Sequence, residues 1–253
     1  MPECIIFDLD NTLAESKQPL DSEMANLLAS LLARTCIAVA SGGKREQLQK
    51  QVADRLPQTA KKEHLYLLPT SGAALYTYQK GEMKCVYEET LSAQERDTII
   101  QALQRASRET AIIDFTQPSY GERIEFRGAQ VSLSALGQEA PLEEKKKWDP
   151  DRARREKLRA ALTPLLPAYE IRLGGTTTID ITKKGVDKAY GVTRLAHHLS
   201  LPLSRMLYVG DELGPHGNDE VVIHTGIPTR AVKNPQETKI FISSLLADSN
   251  TKK

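Results

Sequence analysis

Short apolar runs and helical periods alternate through the first 70 residues of the chain. Ile5, Ile6 and Phe7 form an apolar run that ends in two carboxylates one residue apart, Asp8 and Asp10. The run predicts a buried strand, and its period of two sets both carboxylates on one side of an extended chain. Met24, Leu27, Leu28, Leu31 and Leu32 then recur at helical spacing behind Asp21, a residue suited to cap a helix. Residues 36–40 predict a second apolar strand, which runs into Ser41-Gly42-Gly43-Lys44 and a helix carrying Leu48 and Val52. Residues 65–69 predict a third strand. Buried strands alternating with amphipathic helices predict a parallel sheet covered on both faces, with any site at the carboxyl ends of its strands.

Beyond residue 70 the pattern changes. Residues 73–78 and 83–87 around Lys80-Gly81 predict a hairpin. A helix is predicted over 92–109 with Ile99, Ile100 and Leu103 inward, followed by half-exposed antiparallel strands at 123–127 and 130–136. A polar run at 143–147 precedes a charged helix over about 151–166, and strands follow at 169–173 and 177–180. The first pattern then resumes, with a helix from Lys188 carrying Leu195 and Leu199 and an apolar strand at 206–209 that ends in Gly210-Asp211. The expected fold is α/β: a Rossmann-like, doubly wound parallel sheet from residues 1–82 and 187–253, interrupted by an α+β unit over 83–186.

Composition narrows the partners. With 34 basic and 33 acidic residues the net charge is +1, so no global field recruits nucleic acid or an anionic membrane, and anion binding must be local. Cys4, Cys36 and Cys85 are widely spaced among apolar residues, as reduced core thiols are. No leader or membrane-spanning run is legible, and the expectation is a soluble, cytoplasmic protein. Residues 249–253 read as a frayed tail. Among the histidines, His216 alone lies inside the acidic loop 210–219; loop filler is the plainer reading, with a second metal as the alternative.

Two anions held as close as Asp8 and Asp10 repel unless a cation or a shared proton intervenes, and hard oxygen ligands suit magnesium. The plain alternative is a strand followed by an Asx turn through Asn11 and Thr12. Ser41, Gly42 and the following helix start have the make-up of a phosphate-binding loop, or of an ordinary turn. Asp8, Asp10, Ser41 and Asp211 all fall at the ends of predicted strands, a combination more specific than any member.

That combination resembles the haloacid dehalogenase superfamily. Its first motif, Asp-x-Asp-x-Thr, is matched by Asp8, Asp10 and Thr12, its Ser or Thr after the second strand by Ser41, its Lys by Lys188, and its late acidic loop by Gly210-Asp211 with Asn218-Asp219. The inserted unit is similar to the larger α+β (C2B-type) cap of subfamily IIB. Residues 121–127, Gly174-Gly175 with Thr178 and Asp180, Asp187-Lys188 and the loop 210–219 resemble eukaryotic-type phosphomannomutases. The resemblance implies that Asp8 is a nucleophile forming an aspartyl phosphate, with Asp10 as its acid/base partner. It implies Mg2+ held by Asp8, the Asp10 carbonyl and Asp211, with Asn218 and Asp219 orienting Lys188 or metal-bound water. Thr12, Ser41 and Gly42 together with Lys188 would hold the phosphoryl oxygens.

Two outcomes of that chemistry differ in the acceptor. A mutase needs firm cation sites in the cap for a second phosphate, and Arg suits them better than Lys. Arg127 matches such a site, whereas Gln138 stands where the family has Arg, and another match falls at Lys145. Arg123 and Lys145 are further candidate substrate contacts, and Thr178 and Asp180 offer a hydroxyl and a carboxylate to a sugar. Ala40-Ser41-Gly42 resembles the IIB phosphatases more than the mutases. The expectation is therefore a magnesium-dependent sugar-phosphate phosphatase, with the phosphomannomutase as runner-up and a non-catalytic phosphate-sensing module as the reading from another class. The resemblance also implies pairing of two copies through the cap.

Overall fold

Alternate residues of the first strand enter two different hydrophobic clusters: Ile5 and Phe7 belong to one, Cys4 and Ile6 to the other. Both faces of this strand are buried, which is why its sequence is continuously apolar. The computed structural model describes residues 1–215 and 217–248; His216 and the expected tail at 249–253 lie outside the described residues. In chain order the strands are β1 (Cys4–Asp8), β2 (Cys36–Ala40), β3 (Leu65–Leu68), β4 (Ala74–Gln79), β5 (Glu82–Glu88), β6 (Ile124–Phe126), β7 (Gln130–Ser134), β8 (Tyr169–Gly174), β9 (Thr178–Lys183), β10 (Met206–Gly210) and β11 (Thr229–Ala231).

The chain divides into two compact units, Met1–Glu88 with Val186–Lys253, and Glu89–Gly185. In the first, a seven-stranded sheet has the order β11-β10-β1-β2-β3-β4-β5. The pairs from β11 to β3 are parallel, and β3-β4 and β4-β5 are antiparallel. The helix Ser22–Leu32, capped by Asp21, buries Met24, Leu28, Leu31 and Leu32 in the first cluster. Val192 and Leu195 of the helix Lys188–Leu199 pack in the second. The doubly wound α/β core is therefore present. Residues 83–87, expected to open the inserted unit, instead form most of β5 and extend this sheet. Cys85 on that edge strand is exposed rather than a core residue, while Cys4 is buried.

The second unit has a four-stranded antiparallel sheet in the order β6-β7-β9-β8. One row across it, Ile124, Leu133, Ile179 and Leu173, is apolar and joins a cluster with Ile99, Leu103, Leu158 and Leu162 of the helices Ala93–Thr110 and Ala153–Leu162. The adjacent row, Glu125, Ser132, Asp180 and Arg172, is polar and occupies the other face. The polar run at 143–147 proves helical, Leu142–Trp148, with glutamates in its first turn and lysines in its last, a placement the helix dipole favours.

Arg155 and Asp149 form a buried ion pair at 2.7 Å, and Arg155 also donates to the carbonyl of Gly175. Burial alone would raise the pKa of Asp149; Arg155 and the amides of Arg154 and Arg155 outweigh it and hold the carboxyl below its ordinary value. A carboxylate with a depressed folded pKa contributes stability above its unfolded value, about 3.9, and loses it as the pH falls through the folded value. Asp149→Asn should thus lower the stability of this unit at pH 7 by about 2 kcal/mol. The difference from the native chain should shrink below about pH 4. The single Trp148 adjoins the pair, so urea titrations followed by tryptophan fluorescence read the effect directly.

Candidate active site

At the end of β1 the chain turns without leaving the core. Leu9 is fully buried, and Leu13 and Ala14 return their amides to its carbonyl at 2.9 and 3.1 Å. Asn11, at φ 58°, supplies the left-handed residue this turn requires, a conformation Asn tolerates better than most. Asp8 is thereby fixed at the strand end, almost wholly buried. Asp10 is half-buried and accepts the Lys17 amide at 2.6 Å.

Lys188 begins the helix Lys188–Leu199, whose Asp187 cap accepts the amide of Tyr190 at 2.9 Å. The helix is seated backbone to backbone on the loop after β3: a Cβ on Gly191 would lie 2.6 Å from Gly72 Cα. In that loop Thr70, Ser71 and Gly72 all have positive φ, and the amides of Thr70 and Ser71 bond the carbonyls of Gly43 and Ser41, each at 2.8 Å. The ends of β2 and β3 and the start of the helix are thus knitted together. The buried Lys188 Nζ donates to Asp8 Oδ1 and Asp219 Oδ1, each at 2.6 Å, and to Asn218 Oδ1.

Electrostatics at this point are dominated by carboxylates. Burial pushes the Asp8 carboxyl up to about 7, with Asp219 and Asp211 adding to the rise and Lys188 opposing it. Burial would lower the Lys188 pKa, but Asp8 and Asp219 outweigh it, so the ammonium stays charged. Asp211 is also raised, by burial and then by Glu212 and Asp219. Oxygens of Asp8, Asp211 and Asp219 lie within 4.8 Å of one another, and Thr12 Oγ1 donates to Asp211 Oδ1 at 3.2 Å. Asp219 Oδ2 is buried without a protein partner. A crowded, all-oxygen donor set with one such atom fits a hard divalent cation such as magnesium. Asp219 joins Asp8 and Asp211 in this set, while the carboxylate of Asp10 is turned to Lys17.

Asp219 is fully buried; its amide bonds the Glu212 carbonyl at 3.2 Å, and that of Asn218 bonds Glu212 Oε2 at 3.1 Å. Gly210 makes room: a Cβ there would lie 2.3 Å from Asp219 Oδ2. Gly210→Ala should therefore displace the carboxylate, lower stability by about 1–3 kcal/mol and cut turnover at least tenfold, by roughly the scale of core overpacking. Thermal melting and kinetics on the same preparation check both effects.

The Ser41 hydroxyl accepts the Gly43 amide at 3.1 Å, which leaves its own proton for another acceptor. Gly42 has ordinary room for a Cβ, 3.7 Å from Ser71 Oγ, so close backbone approach is not what requires glycine there. The candidates of the second unit behave differently from one another. Arg123 is not set up for a phosphate, because its guanidinium donates to the carbonyls of Ala135, Gln117 and Pro118 at 3.0, 3.0 and 3.1 Å. Arg127 pairs with Glu125 at 2.8 Å. Lys145 Nζ donates to the Gln138 carbonyl at 2.8 Å. Asp180 accepts from Ser132 at 2.6 Å and shares its face with Thr178, and burial raises its pKa. Sequence reasoning passed over Tyr208, whose buried hydroxyl donates to Asp219 Oδ1 at 2.6 Å.

Known proteins resemble this chain over most of its length. A phosphomannomutase of Encephalitozoon cuniculi is 28% identical over 92% of the chain and 89% of that protein. Human phosphomannomutase 1 is 25% identical over 92% of the chain and 88% of that protein. Among solved structures, the IMP-nucleotidase of Plasmodium falciparum has the same fold with a TM-score of 0.71 at 18% identity, covering 99% of this chain and 70% of that one. The sequence profile of haloacid dehalogenase-like hydrolases matches residues 5–219, a span running from the strand that presents Asp8 to the carboxylate that holds Lys188. With that span and that geometry together, the chain belongs to the haloacid dehalogenase-like hydrolase family.

Proposed function

We propose that the chain transfers phosphoryl groups on hexose phosphates through an aspartyl phosphate on Asp8, and that it does so as a mutase of phosphomannomutase type. The observation that carries the mutase reading, over the hydrolysis expected from sequence, is the likeness to phosphomannomutases over 92% of the chain. In the first step an Asp8 oxygen bonds to one phosphorus of a hexose bisphosphate, the bond from that phosphorus to the sugar oxygen breaks, and Asp10 gives the oxygen a proton, releasing a hexose monophosphate. Asp10 then takes a proton from the free hydroxyl of a hexose 1-phosphate as that oxygen accepts the phosphoryl group, and Asp8 and the bisphosphate are regenerated. Lys188 faces the charge that builds on the phosphoryl oxygens. Magnesium held by Asp8, Asp211 and Asp219 would supply charge neutralisation between carboxylates and phosphate. The unit Glu89–Gly185 is taken as the cap, with Thr178 and Asp180 for sugar hydroxyls and Arg127 for a phosphate.

Hydrolysis stays as a second reading for a specific reason. Arg127 is paired with Glu125, Gln138 stands where the family has Arg, and Lys145, at the third such position, is a lysine that donates to the Gln138 carbonyl, so the grip on a second phosphate is weaker than a mutase needs. The deciding experiment supplies magnesium and mannose 1-phosphate, with and without a hexose bisphosphate, and follows inorganic phosphate and hexose 6-phosphate separately. Bisphosphate-stimulated formation of hexose 6-phosphate is expected. Inorganic phosphate without hexose 6-phosphate overturns the mutase reading in favour of hydrolysis.

The Asp10 role has its own test. Asp10→Ala should slow turnover of the sugar phosphate by about 10²–10⁴-fold, the usual worth of a general acid. Formation of the aspartyl phosphate from p-nitrophenyl phosphate should fall far less, because nitrophenolate leaves without a proton. Equal losses with both substrates would remove the acid role.

A further inference from the structure

Tyr208 is fully buried in the middle of β10, between Ile6 of β1 and Thr229 of β11. Its ring is fixed by the cluster containing Ile6, Leu75 and Val192. Burial, then Asp219 and Asp8, raise its pKa well above the ordinary value, so the phenol remains a donor. Gly210 lies two residues on, and therefore on the same face of the strand. A Cβ at Gly210 would lie 3.0 Å from Tyr208 Cε1 as well as 2.3 Å from Asp219 Oδ2. The missing side chain thus leaves room for both the ring edge and the carboxylate.

The donors around Asp219 are distributed unevenly. Tyr208 and Lys188 both donate to Oδ1, each at 2.6 Å, while Oδ2 is buried with no protein partner. A carboxylate that served only the fold would gain by sharing its two donors between its two oxygens, because an unpaired buried oxygen is costly. We infer that Tyr208 is a positioning residue: its hydroxyl fixes the Asp219 carboxylate so that one oxygen serves Lys188 and the other is kept for a divalent cation shared with Asp8 and Asp211. This rests on the preceding reading only in taking the three carboxylates as a metal site.

The test is Tyr208→Phe in the full chain, with magnesium affinity measured by calorimetry alongside thermal melting without metal and initial rates at graded magnesium. The expected result is magnesium affinity about tenfold weaker, on the scale of lost outer hydrogen bonds to metal ligands. Melting should be little changed, and most of the lost rate should return at saturating magnesium. Asp219→Asn serves as a control that must also weaken binding. Unchanged magnesium affinity in Tyr208→Phe, with or without a lower melting temperature, overturns the positioning role while leaving the metal site intact. A native chain that binds no magnesium at millimolar concentrations overturns both.

Discussion

Replacing Asp8 by Asn is expected to abolish phosphoryl transfer while leaving the fold at least as stable as before. A carboxamide cannot form the acyl phosphate, so loss should be complete within detection rather than partial, for hydrolysis and mutation alike. Stability should respond in the opposite sense from that of an ordinary buried polar residue. Asp8 is buried beside Asp211 and Asp219; burial first, and then those two carboxylates, raise its pKa and so disfavour its charged form. Asn removes one negative charge and keeps the shape, and Lys188 still has Asp219 and Asn218 as acceptors. Melting at pH 7 without magnesium should rise or hold, and added magnesium should raise it less than in the native chain. Turnover at a measurable fraction of the native rate would exclude Asp8 as the nucleophile.

Lys188→Met should be damaging on both counts. The ammonium is the cation shared by Asp8, Asp219 and Asn218, and it is buried with them. Removing one partner of a buried ion pair costs about 3–5 kcal/mol because the remaining charge is uncompensated. Turnover should also fall by about 10²–10³-fold or more, as when a transition-state charge stabiliser is lost. The pH dependence follows from Asp8. Its folded pKa is already above the ordinary carboxyl value, and Lys188 is the group that restrains it. A folded state that holds a proton more tightly than the unfolded state loses stability as pH rises. For the native chain this runs from about pH 4 to about 7. In the variant the window extends higher, so melting between pH 5 and 8 should decline more steeply, and magnesium should restore part of it. A flat profile would contradict the raised pKa of the buried Asp8 on which this rests.

The parts of the site that were legible in sequence are those where chemistry interrupts an apolar pattern. β1, β2 and β10 are buried on both faces and read as continuous apolar runs, so Asp8, Ser41 and Asp211 stand out at their ends. The same masking hid Tyr208, which sits inside such a run and finds its acceptor in Asp219, 11 residues further along the chain. Arg123 shows the converse. An arginine inside a matching motif looks like a phosphate ligand, and only the path of the chain brings the carbonyls of Gln117, Pro118 and Ala135 around it. The helix Leu142–Trp148 has no apolar period to announce it; end charges, not a buried stripe, suit it to its conformation. The division of the chain was misplaced by a few residues because β4 and β5 form an antiparallel hairpin, which by pattern alone belongs with the antiparallel inserted unit as readily as with the edge of a mixed sheet.

The most direct measurement is to trap the phosphorylated enzyme. The native chain is mixed with magnesium and a hexose bisphosphate, quenched within the turnover time, reduced with borohydride and mapped by peptide mass spectrometry. Borohydride converts an aspartyl phosphate to homoserine, so the account predicts homoserine at position 8 and nowhere else. Turnover with an unmodified Asp8, or with the label at any other carboxylate, would contradict it.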